Sequence, residues 1–492
     1  MSATKGNILD SGYWEEVQPN GDTTKWKAAP ARASKWWADL VRPSFMTRTG
    51  GSHKLRRTAY LDGLRGFACI LVYWGHHQLW SRDMVHADAI FENAYGYKGQ
   101  YYFATLPIIR TFFSGGHFSV TVFFVISGYV LSTKPLSLIN SGDHSKLGDN
   151  LASALFRRWP RLHIPVICTT FLYMCTWHAF GVWVDGNQQS NFRDELWNFY
   201  AEFKNFSFAY RTGGESWFTY DFHVWSIPVE YRGSLIVYTC CLAFSRLTRN
   251  ARLLGEIGMM FYFMYIVDGW FGAMFMSGML LADLDILAEK DDLPGFFKTL
   301  EPYKNPIFYI MFLVSVLLGG CPSHSSDINV LRESPGWYYL SFLKPQAVFD
   351  FKWFYLFWAS LMVVASIPRI PWLKAFFETR FCQYMGRISF SFYLVHGPVL
   401  WTLADRLYVA AGWVRESHVM NIPQWVNKFP LPKGGPLGFD LAFLLPHLII
   451  LPLTLWLSEM VTKLFDEPSV RFSAWMYKTA LAPAENQAHE KS

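Results

Sequence analysis

The chain has 492 residues, of which 51% are hydrophobic and 17% charged, with a formal net charge of +6. Average soluble domains carry roughly 25% charged residues, so this composition excludes long-range disorder and a small secreted disulfide scaffold. The 22 Trp, 25 Tyr and 43 Phe suit aromatic belts at two lipid–water interfaces, and a mean hydropathy of only +0.12 requires apolar spans to alternate with polar loops.

In chain order, residues 1–58 read as a polar N-terminal tail with no apolar segment of the kind a cleaved signal needs. Within it, Lys35, Trp36 and Trp37 suit either a short amphipathic helix on a membrane surface or a solvated tail. Ten apolar runs follow, each a candidate helix across a hydrocarbon layer about 30 Å thick: 66–81, 111–133, 162–184, 224–245, 257–267, 269–282, 307–321, 353–368, 388–404 and 441–458. The two short runs about Asp268 form a hairpin, or a single bent element that leaves nine spans. The expected fold is an all-α polytopic bundle over residues 59–472, closed by a tail at 473–492.

Lys and Arg number 29 on the side of the N-terminal tail and 13 in the opposite loops, with Arg65 and Arg232 inside the helices. Cytoplasmic loops carry the cationic excess, so both termini are expected in the cytoplasm. Five of the seven Cys lie inside apolar runs, and no Cys or His grouping has zinc spacing, so neither a disulfide framework nor a metal site is expected. There is no basic–aromatic patch for nucleic acid. The acidic stretch 289–292 reads as a solvated loop, and the aromatic segment 202–223 as interfacial packing or as a lid for an apolar acceptor.

The opening span, read from Tyr60 to His77, carries the ionisable pair Arg65 and His76. Eleven residues is close to three helical turns, so they share a face about 16 Å apart along the axis. A charge inside a bilayer costs about 2.5–3.5 kcal/mol on insertion scales and normally lines a polar cavity. Arg65 near the cytoplasmic end and His76 deep in the span therefore point to a site rather than to lipid contact. His77 projects about 100° away and reads as a packing residue.

Six segments, in order, resemble the acyltransferase-3 family of integral-membrane acyltransferases: YLDGLRGFACILVYWGHH from Tyr60, FFVISGYVLS from Phe123, RRWPRLHIP from Arg157, HVWSIPVEYRG from His223, GRISFSFYLVHGPV from Gly386 and FDEPSVRF near the C-terminus. The resemblance spans about Tyr60 to Phe472. Its fourth segment departs from the family at Tyr231 and Arg232, and the long polar head is an addition of the fungal type.

The resemblance implies transfer of an acyl group, commonly acetyl from acetyl-CoA or another acyl-CoA, to a hydroxyl-bearing acceptor. An alcohol needs a base to take its proton, and His has a pKa suited to that task, so His76 is the expected base or, alternatively, a covalent acyl carrier. Glu230 inside the fourth run is a candidate to orient His76 or pair with Arg65, or else to form a structural ion pair within the bundle. Gly386, Ser389, Tyr393 and His396 form a stripe on one helical face, with His396 a further catalytic candidate and Ser389 and Tyr393 structural. Arg157, Arg158 and Arg161, together with Arg65, are the candidate holders of the coenzyme A phosphates, since guanidinium forks grip phosphate oxygens in pairs. The competing reading is a transporter or flippase in which His76, Glu230 and His396 relay protons.

Overall fold

A computed structural model describes residues 38, 40–43, 55–82, 93–186, 188–210, 217–323, 325–434 and 440–481. The Lys35, Trp36 and Trp37 segment lies outside these residues. Every regular element among them is helical. The principal helices are α1 (Ala59–Ser81), α2 (Gly116–Ser141), α3 (His144–Phe180), α4 (Phe192–Phe206), α5 (Ser226–Ala243), α6 (Arg249–Phe261), α7 (Trp270–Glu289), α8 (Lys304–Gly319), α9 (Lys352–Ser366), α10 (Arg380–Val399), α11 (His447–Val461) and α12 (Glu467–Ala480).

Each apolar run of the sequence falls on helix, but four helical stretches are long and apolar enough by themselves to cross a membrane: Gly116–Ser141, Trp270–Glu289, Phe296–Gly319 and Leu441–Ala480. A fifth arises if Lys352–Arg369 and Pro371–Phe377, bent by 100°, count as one. The shortfall from ten has a physical origin. The polar residues Asp62, Arg65, His76, His77 and Gln78 dilute α1, while α5 is short and includes Glu230 and Arg232. The exposed side chains of the apolar stretches fit lipid: Ile310 and Leu313 on α8 and Leu448 on α11 all project outward, a pattern that water penalises.

The expected polar loop at 134–161 is largely helix. Gly142, at φ +73°, ends α2 in the left-handed conformation that glycine adopts without cost. Asp143 then caps α3, its carboxylate accepting the Lys146 amide. The Lys146 side chain, and secondarily that amide, hold the Asp143 carboxyl below its ordinary range. The expected hairpin about Asp268 is present as α6, a single π turn Tyr262–Ile266, and α7.

Small residues set the closest helix contacts. A Cβ on Gly66 would lie 2.5 Å from the Cys382 carbonyl oxygen, so α1 and α10 touch backbone to backbone there. A Cβ on Gly278 would lie 2.6 Å from the Tyr129 nitrogen, which marks the α2–α7 crossing. Such crossings bring helices together by packing where lipid offers no hydrophobic drive. Two ion pairs share one end of the bundle: Arg252 bonds Asp283 on α7 at 2.7 Å and Asn140 on α2 at 2.8 Å. Arg369 pairs with Asp285, which also accepts from Tyr129 at 2.9 Å.

Candidate active site

At that same end a cavity of about 190 Å³ opens between α1, α2, α3, α5 and α10. Arg65, Arg158, Arg161 and Arg387 line it together with Asp62, Glu230 and Asp466. A smaller neighbouring hollow of about 70 Å³ is walled by Arg157, Arg158 and Arg161 with Lys134 and Tyr238. The arginines that the sequence pointed to thus converge: Arg65 comes from α1, and the other three come from the middle of α3. Their convergence follows from one turn of helix, since residues three and four apart share a face.

Of the alternatives open for Glu230, the structure shows an ion pair within the bundle. Its carboxylate accepts from Arg158 at 2.5 Å, with the two side chains 14% and 9% exposed. It belongs to the cavity wall, and the partner it takes is neither His76 nor Arg65. Pro228, two residues before it, stands in the first turn of α5, where a missing amide proton costs nothing.

Ser226 and Tyr393 also line the cavity. Their hydroxyls lie 2.8 Å apart, and the Tyr393 hydroxyl also donates to the backbone carbonyl of His223. Immediately beyond stand three imidazoles from three elements. His76 on α1, His396 on α10 and His223 on the 3-10 turn Phe222–Trp225 have a ring nitrogen each within 4.8 Å of one another. The His76 ring centroid is 4.0 Å from that of His223 and 5.3 Å from that of His396. His396 is 1% exposed, and its Nδ1 lies 2.6 Å from the Tyr393 carbonyl oxygen. Being a hydrogen-bond donor there, Nδ1 leaves Nε2 as the free lone pair.

The structure brings His76 and His396 together. Ser389 stays structural, donating to the Gly386 carbonyl at 2.9 Å. His77 is fully buried and 2.7 Å from the Tyr408 hydroxyl, a packing role on the other side of α1. His163 stacks on Trp159 inside the protein, whereas its place at a span end suggests an interface. Sequence reasoning missed His223 and its neighbour Asp221. Both precede the apolar part of α5, where helical periodicity has nothing to say, and the available signal was the acid–x–His spacing just before a span.

Three imidazoles at this separation are a donor set of the kind zinc accepts, and they are equally the material for proton transfer between rings. The chemistry available here is base catalysis next to a cationic cavity.

The comparisons with known proteins agree with that chemistry. The profile of an acyltransferase domain family, acyltransferase-3, matches residues 58–432. The O-acetyltransferase PaAT-1 of Phomopsis amygdali is 29% identical over 93% of this chain and 92% of its own length. The acyltransferase clz18 of Cochliobolus lunatus is 22% identical over 73% of this chain and 86% of its own. No solved structure matches the chain.

Proposed function

Because the chain belongs to the acyltransferase-3 family and is an acyltransferase, we propose that it moves an acyl group, most simply acetyl, from acyl-CoA to a hydroxyl of a small-molecule, lipid-linked or carbohydrate acceptor. The observation that carries this reading is the placement of His76, with His396 against it, behind the Tyr393 wall of an arginine-lined cavity. The named O-acetyltransferase relative supports acetyl as the group transferred.

Dimensions favour a thioester donor. Arg65 and His76 are eleven residues apart on α1, about 16 Å. The pantetheine arm of coenzyme A has about a dozen bonds between phosphate and sulfur, and at roughly 1.2 Å of advance per bond it spans about 14 Å. Phosphates held by Arg65, Arg158 and Arg161 then put the thioester at the Ser226 and Tyr393 side of the cavity, the side toward His76. A cavity of about 190 Å³ is below the roughly 300–1,000 Å³ of a pocket that encloses a drug-sized ligand. It suits a thin arm, with the nucleotide left outside it, toward the neighbouring hollow that Arg157 walls.

In this mechanism His76 takes the proton of the acceptor hydroxyl as oxygen attacks the thioester carbonyl. The C–O bond forms, the C–S bond breaks, and the proton passes from His76 to the departing thiolate. The alternative is an acyl-imidazole intermediate on His76 that the hydroxyl then attacks. The protein is read as a multi-pass membrane enzyme of about ten spans with both termini cytoplasmic, in the endomembrane or plasma membrane. On that reading the donor enters from the cytosol.

The test uses purified protein in detergent with labelled acetyl-CoA and a panel of alcohols. Label is expected in an ester product without any gradient. Substrate movement across proteoliposomes with no acyl transfer from any donor would overturn the proposal in favour of transport.

A further inference from the structure

The turn that carries His223 is held from several sides. Asp221, fully buried, accepts the His223 backbone N–H at 3.1 Å through Oδ1, and the same oxygen lies 3.3 Å from the His223 Nδ1. The ring of Trp401 stacks on the imidazole with centroids 5.1 Å apart. Tyr393 binds the His223 carbonyl. On the fourth side α10 presses its backbone against the pair: a Cβ on Gly397 would lie 2.6 Å from His223 Nδ1 and 2.7 Å from Asp221 Oδ1. A buried carboxylate is costly unless something is gained from it, and here its side-chain neighbour is an imidazole that touches His76.

We propose that Asp221 and His223 are a positioning pair for His76, an inference that rests on His76 being the base of the transfer. Asp221 Oδ1, 3.3 Å from His223 Nδ1 without a closed hydrogen bond in this geometry, accepts from a proton-bearing Nδ1 after a small turn of the ring, which fixes that tautomer and leaves Nε2 as a lone pair. That lone pair accepts the N–H of His76, so that the other nitrogen of His76 is the one free to take a proton. When His76 becomes imidazolium, its positive charge is shared through His223 with the Asp221 carboxylate. The charge is withdrawn as His76 delivers the proton to the thiolate. No net proton is gained or lost: alcohol and thioester become ester and thiol.

The groups that face the His223 ring are His76 on α1, Tyr393 and His396 on α10, and Asp221 on its own turn. His77 and His117 stand farther out around His76.

The experiment compares wild type with Asp221→Asn, His223→Gln and His223→Ala, using the full-length protein, acetyl-CoA and the best alcohol of the panel above. Asp221→Asn is expected to lower kcat by about 10²-fold with KM for acetyl-CoA unchanged. It should also move the acidic limb of the pH–rate profile to lower pH, because losing the carboxylate makes the imidazoles easier to deprotonate. His223→Gln, which keeps an acceptor oxygen, should retain more activity than His223→Ala.

Nitrogen-15 NMR of histidine-labelled protein in liposomes reads the tautomer without any turnover. An Nδ1–H signal that is lost in His223→Gln and altered in Asp221→Asn is expected. Three results overturn the proposal: variants with a wild-type pH profile, a His223 tautomer indifferent to Asp221, or stoichiometric zinc in the purified protein that His223→Gln releases. If wild type itself transfers no acyl group, the acyltransferase reading of the site fails, and the tautomer signal still decides the pairing.

Discussion

At the scale of single residues, His76 and Glu230 were both candidates for chemistry, and the structure gives them different work. His76 meets two other imidazoles beyond the cavity, so His76→Ala should cut turnover by roughly 10²–10⁴-fold while acetyl-CoA binding, measured by calorimetry, stays close to wild type. A folded His76→Ala protein with near-normal turnover would remove that histidine from the mechanism. Glu230 instead neutralises Arg158 at 2.5 Å in a partly buried pair. Glu230→Gln leaves the guanidinium without its counter-charge, and breaking a buried pair costs up to about 3–5 kcal/mol. The expected result is a lower Tm in detergent, part of which acetyl-CoA restores, because its phosphates supply the missing negative charge. Loss of turnover at unchanged Tm would instead place Glu230 in the chemistry. His76 was legible in the sequence because an ionisable group inside an apolar run stands out against lipid. His223 was not, since it precedes its span and becomes significant only once α1 and α10 fold against its turn.

At the scale of elements, runs of apolar residues located the helices but not their ends. The sequence places a loop at 134–161, whereas α2 and α3 meet at the two residues Gly142 and Asp143. Charge in that stretch marks emergence from lipid, which is independent of where hydrogen bonding stops, and helix continues into water when its caps are supplied. Pro160 and Pro165 did not end α3 either. The tightest joints were partly legible, as Gly386 and Gly66 both lie in the quoted segments. The α2–α7 joint was not, because nothing in either run says which partner it takes. At that joint, Gly278→Leu drives a side chain into the backbone around Tyr129. The variant should lose folded yield, seen as aggregation in size-exclusion chromatography, while a lipid-facing control such as Leu313→Ala keeps a wild-type profile.

At the scale of the whole molecule, the charge tally and the contacts bear on the same question. The ion pairs of Arg252 with Asp283 and of Arg369 with Asp285, and the cavity lined by Arg65 and Arg161, share one end of the bundle. Residues 140, 252 and 283, far apart in sequence, meet there. If that end faces the cytoplasm, a glycosylation tag inserted at 142–143 stays unmodified, and one at 187 is modified. The reverse pattern would turn the bundle over and put the arginines out of reach of cytosolic acyl-CoA.

The crossing of α1 and α10 at Gly66 also sets unequal lever arms for the two ends of the site. Arg65 is one residue from it, whereas His76 is ten residues along, a lever arm of about 15 Å. A rocking of α1 by about 10° about that point swings His76 by roughly 2.6 Å and leaves Arg65 almost still. The two ends of the site are therefore mechanically unequal. What holds the long arm in place is the set of ties past His76: His77 to Tyr408 at 2.7 Å, Trp80 to Asp405 at 2.7 Å and Arg82 to Asp440 at 2.8 Å.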